Sequence, residues 1–184
     1  MTSTIRLRRV GACTALASAL FFGSVFDAAA QEQEDGAKAY LVDAFERAKA
    51  WDLSIAEAIP DSAMEWAPSA DVRGFAAQIV HTANNGFISQ ALFGEDAPPF
   101  GDEADLVADK AALMAAVTDA YDFLIGKLQA MPSASLGEDV DFFGRTMSRA
   151  RVAMFGLEHA MWTRGQLVPY LHAHGVTVPQ AVLF

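Results

Sequence analysis

The sequence predicts an all-α protein built as a four-helix bundle. Three observations carry that expectation. Four long segments repeat apolar residues every three to four positions, the period of a helix with one buried face. Connectors bearing Pro and Gly separate them. No run shows the bounded alternation of a strand pair, and no repeat of 20 to 50 residues is visible.

The chain opens with a segment of different character. Arg6, Arg8 and Arg9 form a basic start, Val10 to Phe26 is small and apolar, and Ala28-Ala29-Ala30 precedes Gln31. That order is the anatomy of a secretory signal peptide, so residues 1–30 are expected to be removed and the protein exported, in a bacterium to the periplasm. Residues 31–184 then form one domain of 154 residues, long enough for a sizeable core. It keeps 10 of the 13 basic and 22 of the 23 acidic residues, a net charge of −12 that repels nucleic acid and anionic lipid. After cleavage no membrane association is expected. The only cysteine, Cys13, lies in the signal segment. The domain therefore has no thiol nucleophile or disulfide, and any metal must take nitrogen and oxygen ligands.

Gln31 to Asp35 reads as an acidic, loose terminus. Leu41, Ala44, Phe45, Ala48, Asp52, Ile55 and Ile59 mark a first helix over 36–59, with Asp52 its one polar break. Pro60 ends it. Met64, Trp66 and Pro68 belong to a connector covering one end of the core. A second helix runs from Phe75 to Leu92, with Gly74 at the N-cap and Gly94 as a left-handed C-cap. Ala97 to Gly101 is a loop. The third helix spans 104–130, its stripe broken only by Lys110. The fourth runs from Thr146 to Ala173, where Pro169 should bend it and Gly175 cap it.

The polar residues of the fourth helix are the most informative. His159, Thr163, Gln166 and Tyr170 fall at i, i+4, i+7 and i+11, on a common face that usually looks into a bundle. His81, with Gln78 and Asn85 beside it, gives the second helix a similar stripe. By spacing alone, two histidines on different helices read first as separate core or rim residues satisfied by side chains. His172 and His174 suit the helix dipole in the last turn. Glu158 should be solvated. Trp51, Trp66 and Trp162 read as core or rim packing. Arg145, Arg149 and Arg151 read as partners of Asp139 and Asp141.

Several segments together resemble DinB-like proteins. These are Val72-Arg73-Gly74-Phe75 through His81, Leu92-Phe93-Gly94-Glu95 with the Pro pair behind it, Lys110 to Leu113, and His159-x-x-x-Thr163-Arg164-Gly165-Gln166-Leu167-Val168-Pro169-Tyr170-Leu171 with Gly175 and Pro179 beyond. The resemblance implies an up-down-down-up bundle. It also implies a divalent metal, zinc or nickel, held by one histidine on the second helix and two on the fourth, four residues apart. His81 and His159 match the first two positions, and Thr163 stands at the third. A hydroxyl is a poorer ligand than imidazole, so this departure should weaken the site. A second departure is His172, where the family commonly has Arg. The implied activity is metal-dependent hydrolysis or group transfer, with Thr163 and Gln166 orienting water or substrate. The alternative is a non-catalytic bundle that binds a small ligand or partner beside a vestigial metal site. Such bundles often pair, so a homodimer is a further expectation.

Overall fold

The computed structural model describes residues 14–84, 86–94 and 103–180, with the surroundings of side chains given from residue 30 onward. Helix α1 covers Thr14–Ala58, α2 Phe75–Ala83, α3 Gly86–Phe93, α4 Glu103–Ala108, α5 Lys110–Ala130, α6 Arg149–Gly165 and α7 Val168–Ala173. A two-stranded antiparallel sheet pairs β1, Asp139–Phe142, with β2, Arg145–Ser148. Asn85, the 97–101 loop and the arginines of the expected signal segment lie outside the described residues.

Side-chain contacts fix the directions of the four layers. Lys110 at the start of α5 reaches the Ile59 carbonyl beyond the end of α1, and Lys38 in α1 reaches the Met131 carbonyl past the end of α5. Those two helices are therefore antiparallel. Gln78 bonds the Thr163 carbonyl, and the later Ile88 lies where a Cβ on the earlier Gly156 would fall. The α2–α3 layer thus runs against α6. Phe45 meets Gly156 and Asp52 meets Arg164, so α1 and α6 run together. The order is up-down-down-up, as the resemblance implied. Phe45, Ile55, Phe75, Ile79, Leu113, Tyr121, Leu124 and Leu167 are among the residues fully buried between the layers.

Three of the four expected helices are interrupted, each for a local reason. The second breaks after Ala83, where Asn84 leaves helical geometry at ψ 94° in the sequence Asn84-Asn85-Gly86, three poor helix formers in succession. The third breaks at Asp109, whose carboxylate accepts from the amides of Ala111 and Ala112 and so starts α5 afresh. The fourth breaks at Gly165–Leu167. Pro169 has no N–H for the Gly165 carbonyl and its ring crowds that oxygen.

The expectation of no strand pair was wrong for 139–148. Phe143 and Gly144 take φ of 53° and 74° and form the two-residue turn. Positive φ at both central positions matches the twist of paired strands, although Phe-Gly is not the usual signal for it. Thr146 consequently belongs to β2, and α6 begins only after Ser148, whose hydroxyl accepts from the Arg151 amide. Residues 31–35 are helical rather than loose, and the Asp35 carboxylate accepts from the Ser133 hydroxyl. Arg149 pairs with Glu138, not with Asp139 or Asp141. Trp162 is 70% exposed, so it is neither core nor rim packing.

Gly74 does not cap α2 through a side chain. The amides of Phe75 and Ala76 are taken by the carbonyls of Trp66 and Met64, so the connector itself satisfies the helix start. That close approach requires Gly74, because a Cβ there would lie 2.7 Å from the Glu65 carbonyl oxygen.

Candidate functional site

The polar stripes of α2 and α6 meet across the bundle. The ring centres of His81 and His159 are 5.1 Å apart, with planes at 79°. The spacing that looked weak in sequence is joined because α2 and α6 run antiparallel and carry these residues at facing turns. Two imidazoles bound to one tetrahedral ion through bonds of about 2.0–2.1 Å have ring centres about 5 Å apart. That separation leaves room for a shared divalent ion, as it does for plain edge-to-face packing. The Phe87 ring also packs against His159, with ring centres 5.2 Å apart. Burial is the main reason the His159 pKa lies below the ordinary histidine value, and the nearby Arg73 charge adds to the effect. A depressed pKa leaves the ring neutral near pH 7, the form that ligates a metal.

Thr163 is 1% exposed and lies one turn after His159. Its hydroxyl donates to the carbonyls of His159 and Ala160, at 2.8 and 3.2 Å. The proton is thus spent on the helix backbone, and the oxygen adds little to an ion beyond a neutral lone pair. Among the described residues no group of three or more His, Cys, Asp or Glu side chains is placed to hold a metal.

Gln78 ties the two helices together one turn from His81. It is 2% exposed, and its amide nitrogen donates to the Thr163 carbonyl at 3.3 Å and to Gln166 Oε1 at 3.2 Å. Gln78 and Gln166 then line a cavity of 740 Å³, together with Arg73, Val72, Pro169 and Tyr170. The Tyr170 hydroxyl donates to the Arg73 carbonyl at 2.7 Å and anchors the loop that forms the opposite wall. The predicted stripe of His159, Thr163, Gln166 and Tyr170 thus faces α2 and its preceding loop throughout, despite the break at Gly165. The histidines themselves do not line the cavity; they stand beside it.

A buried ionic network went unrecognised in the sequence. Asp52, the polar break of α1, is 0% exposed and accepts from Arg164 Nε at 2.5 Å and from the Tyr121 hydroxyl at 2.5 Å. Arg164 also donates to the Ala48 carbonyl at 3.3 Å, and its guanidinium lies 4.9 Å from the centre of the Trp51 ring. Burial pushes the Asp52 carboxyl above the usual carboxylate range, against the pull of Arg164 and Tyr121. Burial also works against the Arg164 charge, but the carboxylate outweighs it and raises that pKa. Burial, reinforced by the Asp52 charge, holds the Tyr121 hydroxyl well above its ordinary value. The signal was available: a lone carboxylate in an apolar stripe needs a buried partner. The network joins α1, α5 and α6 through the core.

With the bundle and the histidine pair in place, known structures supply the comparison. A crystal structure of a DinB-like protein from Bacillus cereus superposes with a TM-score of 0.68 at 15% identity, covering 76% of this chain and 94% of that one. The fold is DinB-like. A DinB-like protein from Bacillus subtilis superposes with a TM-score of 0.62 at 14% identity, over 77% of this chain and 97% of that one. No protein family matches the chain by sequence, and no curated protein does. At such identities the likeness speaks for the DinB-like architecture alone. Among the described residues no helix is long and apolar enough to cross a membrane.

Proposed function

We propose that this DinB-like domain carries a two-histidine centre, His81 and His159, that recruits a divalent ion, zinc or nickel, and serves hydrolysis or group transfer on a small molecule held in the adjoining cavity. The observation that supports this reading is the pair of facing imidazoles, 5.1 Å apart. His81 and His159 would hold the ion, which would supply an activated water or a polarising charge for a substrate oxygen. The chain contributes the rest. Gln78 fixes Gln166 at the cavity wall, and Tyr170 fixes the loop that carries Arg73. Export to the periplasm, with processing after Ala30, belongs to the same proposal. N-terminal sequencing from the native host tests it, and an intact Met1 refutes it.

Titration of zinc or nickel by calorimetry tests the centre itself. The wild type should bind weakly, His81→Ala should abolish binding, and Thr163→His should strengthen it by supplying a third imidazole one turn after His159. The larger ring enters a buried position at a cost of about 1–3 kcal/mol, so its folding is checked by circular dichroism. Equal affinity in the wild type and Thr163→His would remove residue 163 from the metal shell.

A second reading is a non-catalytic binding bundle with a vestigial metal site. It is favoured by the Thr163 hydroxyl, whose proton is bonded to its own helix. Under it the wild type takes no metal while the cavity still binds a ligand.

A further inference from the structure

The cavity beside the histidines has a chemistry of its own. Arg73 lines it and pairs with no carboxylate among the described residues, although Asp71 lines the same space. In a chain of net charge −10, a cation left unpaired at a cavity is the place where an anion gains attraction instead of repulsion. Gln166 supplies a second donor. Its Oε1 accepts from Gln78, which leaves its exposed amide nitrogen directed away from that bond and, among the described residues, free to donate to a ligand. Pro68, Val72 and Pro169 give the remaining wall an apolar surface.

We infer that this cavity takes a small organic monocarboxylate, its carboxylate held by Arg73 and the Gln166 amide and its apolar body laid against Pro68, Val72 and Pro169. The inference rests on the reading above and names the substrate class of that site. The planar guanidinium fork matches a carboxylate. A phosphate dianion is the poorer fit, because a single cation faces it and the Asp71 carboxylate stands in the same wall. A volume of 740 Å³ leaves room for a body of several carbons and for water.

The test uses the full chain, isotopically labelled and kept metal-free with a chelator. Hexanoate and inorganic phosphate are titrated separately at constant ionic strength, and the side-chain resonances of Arg73, Gln78 and Gln166 are followed by NMR. Hexanoate should shift all three saturably, and phosphate should not. Arg73→Gln should weaken hexanoate about tenfold or more, the size of a lost charge-assisted hydrogen bond. Asp71→Asn should tighten it by removing a like charge. Arg73 and Asp71 are both exposed, so neither change threatens the core. Three results would each overturn the inference: no saturable shift with hexanoate, unchanged affinity in Arg73→Gln, or phosphate bound as tightly as hexanoate. Since no metal is present, these outcomes leave the two-histidine centre to stand or fall on its own titration.

Discussion

Replacing Asp52 by alanine removes one half of a buried pair and strands the other. Asp52 and Arg164 are 0% and 5% exposed. In Asp52→Ala the guanidinium loses its countercharge and the Tyr121 hydroxyl its acceptor, and both remain in the core. Breaking one side of a buried ion pair costs about 3–5 kcal/mol, a large share of the roughly 5–15 kcal/mol that stabilises a domain of this size. The stranded hydroxyl belongs to the same network, so its penalty is not added to that figure. Urea unfolding followed by circular dichroism measures the loss. A triple variant, Asp52→Leu with Arg164→Met and Tyr121→Phe, removes every polar member together and should recover most of it, because no group is left unpaired. The pH dependence has a definite sign. Native Asp52 titrates above its unfolded value of 3.8, so it binds the proton more tightly when folded. Proton binding adds stability that is full below 3.8 and is lost as pH rises through the folded pKa, above which the ionised pair with Arg164 remains. The gap between wild type and Asp52→Ala should therefore widen on acidification through that window. A loss below about 1 kcal/mol, the worth of an exposed pair, would mean that water reaches the network and the reasoning is wrong. A triple variant as unstable as the single one would refute it equally.

Periodicity located the four layers because each helix buries one face, and that demand writes itself into spacing. It could not locate the breaks at Asn84, Asp109 and Gly165, which depend on a few residues inside otherwise continuous stripes. Pro169 announced the last of these, and the capping carboxylate of Asp109 could have announced the second. The hairpin was hidden for a different reason. Asp139-Val140-Asp141-Phe142 does alternate, but a run of four is too short to announce a strand, and its turn rests on Phe143 accepting a positive φ. The site was legible in part. Helical spacing put His159, Thr163, Gln166 and Tyr170 on one face. That His81 lies opposite depends on antiparallel packing, which no single helix records. The Asp52–Arg164 pair was invisible for the same reason, since its members are 112 residues apart. Arg73 was read only as part of a motif; its exposure beside a cavity emerges only when the loop is pinned by Tyr170.

Two further outcomes follow from the same geometry. Gly74→Ala should destabilise the domain by about 1–3 kcal/mol in urea unfolding, because the new methyl meets the Glu65 carbonyl and that backbone is held by two hydrogen bonds to α2; an unchanged midpoint would show that the connector yields freely. The last outcome concerns His159, whose ring should titrate below the ordinary histidine value of 6.5 when followed by NMR in metal-free protein. Burial against Phe87 is the larger cause and the Arg73 charge the smaller, so Arg73→Gln should return the pKa only part of the way. A depressed histidine pKa contributes stability that is full above the unfolded value and is lost as pH falls through the folded one. The wild type should thus lose stability on acidification below pH 6.5, and His159→Gln should lose less over the same interval. Metal affinity should fall in the same direction, because protons compete for the ring nitrogens. A His159 pKa at or above 6.5 would mean that its partial burial is too shallow to disfavour the imidazolium. The neutral imidazole on which the two-histidine centre depends would then be less populated at neutral pH than the packing requires.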